Sequence, residues 1–319
     1  MDSNAKMKVL LTGGAGYIGR VMTSHLLRRG EEVCILDKMI YGNHVDPEGR
    51  IRVINADIND TDAIEDAMQD VDAVLHLAAI VGDEACNLDA EMTLRTNYLA
   101  TSNIAQWCGH LRKPLVFFST CSVYGANANT VLDEEGIVNP LSTYAKTKLA
   151  AEAKVKDLAR EHLIFRLGTV FGVSPRMRFD LVVNRMIAQA ALDGKITVFG
   201  GEQFRPFIHI ADVVSNTLKA ISSGARGLYN LGGTNHQIRE IGAMVRDATG
   251  CKMTIIPEKK DSRNYAVDSS KAEDAWGATF PKNVESAVEE IESFVKHSSI
   301  RSWDEPVYNN AEWLRNHHH

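Results

Sequence analysis

The sequence has few of the features that mark secreted, membrane or nucleic-acid-binding proteins. Its five cysteines are scattered, odd in number and free of any Cys-x-x-Cys pair, which argues against a disulfide framework or a zinc site. No run approaches the ~20 apolar residues that span a bilayer, and the first residues lack the apolar core of a signal peptide. The net charge of −6 disfavours a nucleic-acid or anionic-membrane surface. We therefore expect a cytoplasmic protein with reduced thiols and no metal, nucleic-acid or membrane partner.

Internal repeats and low-complexity linkers are also missing from the 319 residues. Apolar residues make up 45% and charged residues 24%, which is ordinary for a globular protein. This length suits one large domain, or a large domain with a smaller lobe. The final residues 317–319 are all histidine and look like the remnant of an affinity tag, so we assign them no part in the fold or the function.

A glycine-rich turn follows the first apolar strand. Lys8–Thr12 leads into Thr12-Gly-Gly-Ala-Gly-Tyr-Ile-Gly19, and helical periodicity begins directly afterwards. Glycines at this spacing permit a tight turn and close approach of a phosphate, while the helix N-terminus offers free N–H groups to a pyrophosphate. A glycine-rich surface turn is the alternative, but the strand before it and the helix after it favour dinucleotide binding.

The second strand, Glu32–Leu36, ends at an acidic residue. Asp37 lies about twenty residues beyond the glycines, where a carboxylate fits the ribose hydroxyls of NAD and would repel an additional phosphate. The neighbouring Lys38 weakens this preference for NAD over NADP. The pattern still indicates NAD.

Strands and helices alternate through the first half of the chain. Predicted strands at 51–55, 71–77, 114–119 and 163–167 are separated by predicted helices at 61–68, 88–108 and from 142 onward. In a doubly wound parallel sheet, ligands collect at the carboxyl ends of the strands. The glycine-rich turn, Asp37, Asp57, the Ala78-Ala79 turn and Thr120 all fall at such ends, so we predict an α/β fold with a Rossmann-type sheet.

Beyond Leu167 the pattern predicts a smaller mixed lobe. It contains helices at 181–192 and 239–249, strands at 195–199, 207–210, 227–230 and 252–256, and a helix whose N-cap region includes Asp212. We assign residues 1–172 to a nucleotide-binding domain, with strand and helix exchange from the later chain, and 173–316 to a substrate lobe across a cleft.

Tyr144 and Lys148 stand four residues apart at the start of a predicted helix, which places both side chains on one face. A nearby ammonium makes a phenol easier to ionise, so this tyrosine could transfer a proton although its unperturbed pKa is about 10. Thr120 could hold the reacting oxygen. A Tyr-x-x-x-Lys pair alone is common on helices; the surrounding pattern gives it weight.

Five motifs together resemble the extended short-chain dehydrogenases/reductases, in the nucleotide-sugar epimerase/dehydratase group. They are Thr12-Gly-x-x-Gly-x-x-Gly19, His76-Leu-Ala-Ala79, Thr120-x-x-Val-Tyr-Gly125, Tyr144-x-x-x-Lys148 and Arg205-Pro-Phe-Ile-His-Ile-Ala-Asp212. The resemblance extends from Val9 to about Glu290. It implies an NAD-dependent enzyme acting on a nucleotide-diphosphate sugar.

The resemblance also implies how NAD is held. Gly13, Gly16, Tyr17 and Ile18 correspond to residues at the pyrophosphate, Asp37 and its neighbour Lys38 to the adenosine ribose region, and Asp57 and Ile58 to the adenine. Leu77, Ala78 and Ala79 correspond to the path toward the nicotinamide, and Asn97 to a helix residue that supports the site. Thr120, Tyr144 and Lys148 match the Ser/Thr partner, the acid/base and the lysine that holds the nicotinamide ribose.

For the substrate, the resemblance implies that Arg205 and Arg263 grip the diphosphate, as planar guanidinium groups do well. The backbone of Thr197, Val198 and Phe199 would flank the nucleobase. Thr169 is a further candidate, and Arg176 and Arg178 could add phosphate contacts or could instead be solvent-exposed. Either diphosphate arginine could instead form an ordinary surface ion pair, and Cys121, next to Thr120, could touch the substrate or be a buried inert thiol.

The sequence departs from the family's motifs at two places, and each departure narrows the range of expected reactions. Related 4,6-dehydratases carry a carboxylic acid where this chain has Cys121 and Ser122, so dehydration is disfavoured. Many epimerases carry Asn where this chain has Thr169. In this respect the chain is similar instead to a branch that includes GDP-heptose 4-dehydrogenases. We expect an epimerase with a transient 4-keto intermediate; a 4-dehydrogenase or ketoreductase is the alternative. A sensor that binds NAD without turnover is disfavoured because Thr120, Tyr144 and Lys148 are all present.

The resemblance also implies a homodimer with a four-helix interface formed by residues 88–108 and 144–160.

Overall fold

A seven-stranded parallel sheet forms the centre of the fold. The computed structural model describes residues 6–42, 45, 51–258 and 262–317, without the side chains of residues 128 and 129. Two histidines of the expected tag remnant, His318 and His319, lie outside the described residues.

The strands, in chain order, are β1 (Lys8–Thr12), β2 (Glu32–Asp37), β3 (Ile51–Asn55), β4 (Ala73–His76), β5 (Leu115–Thr120), β6 (Ala126–Leu132), β7 (His162–Leu167), β8 (Thr169–Phe171), β9 (Lys195–Phe199), β10 (Phe204–His209), β11 (Gly227–Leu231), β12 (Thr234–Gln237), β13 (Lys252–Ile256) and β14 (Asn264–Val267). The helices are α1 (Tyr17–Arg28), α2 (Thr61–Met68), α3 (Asp83–Leu88), α4 (Ala90–Leu94), α5 (Ala100–Leu111), α6 (Thr143–Leu158), α7 (Val182–Asp193), α8 (Ile210–Ser223), α9 (Ile238–Thr249), α10 (Ser270–Trp276), α11 (Val284–His297) and α12 (Asn310–His317). Short 3₁₀ turns cover Cys121–Tyr124 and Pro306–Tyr308.

The central sheet has the strand order β11-β7-β5-β4-β1-β2-β3, and every pairing is parallel. Helices cover both faces, as a parallel sheet of apolar strands requires. Leu10 and Phe117 pack with α2, α5 and α6 on one face, whereas Val9 and Leu11 pack with α1, α8 and α10 on the other. The order reverses next to β1, which is where such sheets bind dinucleotides. The predicted fold class is confirmed.

The smaller lobe is built on two short sheets. One has the order β12-β10-β8, the other pairs β13 with β9, and a further two-stranded piece pairs β14 with β6. Residues of α7, α9 and α11 form the apolar core of this lobe, together with Ile196, Val198 and Phe207.

Three elements differ in placement or detail from the expectation. The pattern places strand β11 in the smaller lobe, but it pairs with β7 at the edge of the central sheet. The expected long helix 88–108 is present but begins two residues later, because Asp89 has an extended backbone and caps α4 by accepting a hydrogen bond from the Met92 N–H. A π-helical turn, Arg95–Leu99, then precedes α5. The N-cap of α8 is His209, whose ring nitrogen accepts from the Ala211 N–H; Asp212 lies in the first turn.

The segment before and within α12 returns to the carboxyl edge of the central sheet. The Trp313 indole N–H donates to the carbonyl of Ile40 at 2.6 Å, and the Phe179 N–H donates to the carbonyl of Tyr308 at 2.9 Å. Ala311 and Leu314 pack against Ile80. This segment therefore joins the loop after β2 to the loop after β8.

Among the helices of the described residues, none combines the length and the apolar character needed to cross a membrane.

Candidate active site

The glycine-rich turn forms a tight cradle at the end of β1. Gly13 has a φ of 72°, and a Cβ there would lie 2.6 Å from the backbone nitrogen of Ala78. A Cβ on Gly19 would lie 2.4 Å from the carbonyl oxygen of Gly13. Side chains at either position would fill the cradle, so glycine is required. Helix α1 begins at Tyr17 with no acidic residue in its first turn, which leaves its positive end available to an anion.

Asp37 ends β2 beside this turn. Its carboxylate accepts hydrogen bonds from the backbone N–H groups of Ala15 at 2.9 Å and Met39 at 2.7 Å. Lys38 points to Asp57, with 2.9 Å between the ammonium and the carboxylate. Partial burial raises the pKa of Asp57, but hydrogen bonds from Asn59 and Lys38 outweigh it and hold the pKa below its ordinary value.

Thr120, Tyr144 and Lys148 converge on one cavity of about 330 Å³ at the carboxyl edge of the sheet. Thr120 ends β5, and its hydroxyl accepts from the Ser122 N–H at 3.1 Å and hydrogen bonds with Tyr144. Ser142 caps α6 by accepting from the Ala145 N–H, which fixes the helix start at Thr143, one residue before Tyr144. The structure thus brings together the three residues that the sequence singled out.

The pKa shifts of Tyr144 and Lys148 differ from the expectation that the ammonium lowers the pKa of the phenol. Burial raises the pKa of Tyr144 above its ordinary value, although the Thr120 hydrogen bond opposes it. Lys148 is 2% exposed, and burial lowers its pKa to about 7, with Glu152 partly opposing that shift. Its ammonium lies 4.0 Å from the centre of the Phe117 ring. Loss of solvent therefore outweighs the attraction between ammonium and phenolate that the spacing suggested.

The same cavity is lined by most of the expected cofactor residues: Gly13, Gly16, Tyr17, Ile18, Asp37, Lys38, Asp57, Ile58, Leu77, Ala78 and Ala79. Asn97 does not line it. The buried Asn97 amide instead accepts from the Ile80 N–H at 2.8 Å and donates to the Ile80 carbonyl at 2.9 Å. It positions the chain that follows Ala79, as expected of a residue that supports the site, and its contact with the cofactor stays a prediction.

Thr169, Arg178 and Arg263 line the cavity on the side of the smaller lobe. Arg178 forms a two-point ion pair with Asp180, with distances of 2.9 and 2.8 Å. Arg263 pairs with Asp83 at 3.0 Å. Both guanidinium groups are therefore held at the cavity wall by a carboxylate.

Arg205 lies behind this wall. It is 4% exposed, donates to the carbonyls of Phe204 and Arg263, and has its guanidinium 5.0 Å from the centre of the Tyr265 ring. It is absent from the described lining of the cavity. As the structure has it, Arg205 supports the backbone of Arg263.

Cys121 and the three β9 residues expected at the substrate do not line the described cavity, and of the two alternatives for Cys121 the buried thiol is the one observed. The Cys121 thiol is fully buried and donates to the carbonyl of Arg166 at 3.2 Å, because the 3₁₀ turn after Thr120 directs it away from the cavity. Burial raises the pKa of this thiol. Thr197, Val198 and Phe199 lie on β9 and do not line the cavity, and Val198 is buried in the core of the smaller lobe. Whether their backbone flanks a nucleobase stays a prediction.

Sequence reasoning missed several residues of the cavity wall. Tyr41 and Met92 line it, as do Ser122 and Asn310. Tyr41 follows the carboxyl end of β2, a position that the rule for parallel sheets could have flagged. Asn310 begins α12 and belongs to no motif, so no sequence signal could have found it. Within the described ranges, no group of three or more His, Cys, Asp and Glu side chains is placed to hold a metal ion.

Comparison with known proteins agrees with this geometry. Residues 9–232 match the model of the NAD dependent epimerase/dehydratase family. The structure of MoeE5 in complex with UDP-glucose and NAD is 30% identical, with a TM-score of 0.80, and the alignment covers 92% of this chain and 99% of that one. UDP-glucuronic acid 4-epimerase from Bacillus cereus, in complex with UDP-glucuronic acid and NAD, is 28% identical with a TM-score of 0.79, covering 92% and 100%.

Among curated proteins, UDP-glucuronic acid decarboxylase 1 of Xenopus tropicalis is 29% identical over 274 residues. That match covers 82% of this chain, which spans only 65% of the relative's own length. The glycine cradle, the carboxylate of Asp37 and the open end of α1 fit a dinucleotide, and the family match covers most of the chain. The protein therefore belongs to the NAD-dependent epimerase/dehydratase family of extended short-chain dehydrogenases/reductases, and its cofactor is NAD.

Proposed function

We propose that this protein is a nucleotide-sugar epimerase that works through a transient 4-keto sugar, with Tyr144 as acid/base. The observation that carries the proposal is the convergence of Thr120, Tyr144 and Lys148 on the cavity that also contains the glycine cradle. The relatives, which include a UDP-glucuronic acid 4-epimerase, support a nucleotide sugar as the substrate.

The roles of the residues follow from their chemistry. Tyr144 takes the proton of the sugar hydroxyl and later returns it, while Thr120 holds the sugar oxygen by a hydrogen bond. Lys148 holds the nicotinamide ribose, and its positive charge favours the ionised form of Tyr144 when both face the bound ligands. When bound, NAD would supply a hydride acceptor and donor, and return of the hydride to the opposite face of the sugar carbon would invert its configuration.

The remaining assignments concern binding. Gly13, Gly16, Tyr17 and Ile18 would hold the pyrophosphate of NAD, and Asp37 would hold the adenosine ribose. Arg178 and Arg263 would contact the substrate at the opposite wall. Each is paired with a carboxylate, so a substrate anion would compete with Asp180 or Asp83 for the guanidinium.

Dehydration is disfavoured because Ser122 lines the cavity where a dehydratase would carry an acid. The Ser122 hydroxyl lies 3.3 Å from the hydroxyl of Tyr265, and neither group is a carboxylic acid that could run a second proton transfer. The main alternative is a nucleotide-sugar 4-dehydrogenase or ketoreductase, in which the keto sugar leaves the site.

Incubation of the protein with NAD and UDP-, GDP-, CDP- and dTDP-sugars, including UDP-glucuronic acid, tests the proposal. Reduced nicotinamide is followed by absorbance and the sugar by mass spectrometry and chromatography. An isomer of unchanged mass without accumulated NADH supports the epimerase. NADH with an oxidised sugar supports the dehydrogenase. Loss of carbon dioxide or water would contradict the proposal and indicate a decarboxylase or a dehydratase.

The expected homodimer also stays a proposal. Leu94 and Leu99 are 46% and 45% exposed on the helical stretch 88–108 expected at the interface. Burial of such leucines against a second copy is favourable. Light scattering of the purified protein tests it.

A further inference from the structure

Arg176 is a buried cation at the wall of the cavity. It is 3% exposed, and among the described residues its Nε and Nη2 atoms have no hydrogen-bond partner. Its guanidinium lies 4.5 Å from the centre of the Tyr41 ring, which fixes the plane of the group beside the cavity. Burial and the neighbouring Arg178 lower the pKa of Arg176 to about 10. A charge in such surroundings is costly unless an anion meets it.

The loop that carries Arg176 is tied to the start of α1. The Ser174 hydroxyl donates to the carbonyl of Tyr17 at 2.7 Å and accepts from the Arg176 N–H at 3.3 Å. The Tyr17 hydroxyl in turn donates to the carbonyl of Gly172 at 2.6 Å. Because Tyr17 directly follows Gly16 of the cradle, these bonds hold the base of Arg176 against the glycine-rich turn.

Arg178, two residues further on, offers a contrast. Its charge is matched by the two-point ion pair with Asp180. Arg176 has no ion pair within the described ranges, and the first turn of α1 contains no acidic side chain. Arg176 lines the same cavity as Gly16 and Tyr17 at the start of α1, so the buried guanidinium and the positive helix end both favour an anion there.

We propose that Arg176 clamps the pyrophosphate of NAD against the glycine-rich turn, from the loop after β8. The contacts of Ser174 with Tyr17 favour the cofactor over the substrate as the source of the anion. The clamp adds a side chain from the far wall of the cleft to the backbone contacts expected from the turn. NAD bound in this way leaves slowly, since the loop must separate from α1 first. The inference depends on NAD as the cofactor and not on which sugar reaction takes place.

Titration calorimetry of the full chain with NAD, ADP, adenosine and UDP tests the clamp. We compare Arg176→Gln and Arg176→Lys with Arg226→Gln, a control that removes a half-exposed arginine paired with Glu161. Arg176→Gln should weaken NAD and ADP by about tenfold or more, the worth of one charge-assisted hydrogen bond. Adenosine, which lacks the diphosphate, should bind as before. Arg176→Lys should lose less, because it keeps the charge but not the planar fork.

Three outcomes would overturn the proposal. Unchanged affinity for NAD and ADP in Arg176→Gln would show that the guanidinium meets no cofactor phosphate. A loss confined to UDP would assign Arg176 to the substrate. Equal losses for adenosine and NAD in both Arg176 variants would mean that the residue only packs the site. Because each readout is a binding constant, failure of the epimerase assay would leave the result intact.

Discussion

Lys148 should cost the folded protein stability while serving the active site. The side chain is 2% exposed, and burial lowers its pKa from 10.5 to about 7. At roughly 1.4 kcal/mol for each pKa unit, the ammonium destabilises the fold by about 4–5 kcal/mol at neutral pH. Replacing it with methionine removes that cost but also removes the contact with the Phe117 ring, worth about 0.5–2 kcal/mol. We expect Lys148→Met to be more stable by about 2–4 kcal/mol and inactive.

The difference in stability between Lys148→Met and the wild type should become smaller as the pH rises above 7. Because the folded-state pKa is lowered, the unfolded chain binds more protons than the folded chain between about pH 7 and pH 10.5. The contribution of Lys148 to the free energy of unfolding therefore rises with pH across that window and is lowest at and below pH 7. The advantage of Lys148→Met should shrink by about 2 kcal/mol from pH 7 to pH 9.

Urea unfolding of both proteins at several pH values, after removal of bound NAD, measures this. The difference between the two curves isolates Lys148, since the other titrating groups are common to both chains. Lys148→Leu serves as a second apolar replacement. A difference that does not change with pH, or a variant less stable than the wild type at pH 7, would refute the reasoning that burial dominates at this position.

Further predictions concern proton transfer, cofactor choice and the buried ion pair. Tyr144→Phe should retain NAD affinity in calorimetry while turnover collapses, because only the proton-transfer group is lost; normal turnover would remove Tyr144 from the mechanism. Asp37→Ala should relax the preference for NAD over NADP in steady-state kinetics, and an unchanged ratio would place the discrimination elsewhere. Glu152→Gln should destabilise the fold by about 3–5 kcal/mol in urea unfolding, because Arg166, paired with Glu152 at 2.8 Å, would keep a buried unmatched charge; an unchanged unfolding midpoint would show that the pair contributes little.

Local patterns predicted much of the fold because the central sheet is made of short apolar strands that end at marked residues. Helix α2 was predicted at its observed bounds, and Asp37 and Thr120 lie at strand ends as expected. The edge position of β11 was not predictable, since its apolar residues suit either sheet. The long helix begins at Ala90 and not at Leu88, because Asp89 caps it by accepting from the Met92 N–H.

For the site, motifs identified the residues but not their surroundings. The spacing of Tyr144 and Lys148 places them on one face, yet it contains no information on burial, which decides the direction of both pKa shifts. Cys121 follows Thr120 in the chain, but the 3₁₀ turn that begins at Cys121 directs its thiol to the carbonyl of Arg166 and away from the cavity. Asn310 reaches the cavity across more than two hundred residues, as its 3.3 Å bond to the Val81 carbonyl shows.

The indole of Trp313 and its carbonyl partner at Ile40 are 273 residues apart in the chain. A ribosome that adds about 5–20 residues per second needs roughly 15–55 s to synthesise Trp313 after Ile40. During that interval the central sheet can pair as far as β11, while one wall of the catalytic cavity does not yet exist. A nascent chain can thus acquire the glycine-rich turn well before the segment that carries Asn310 completes the wall of the cavity.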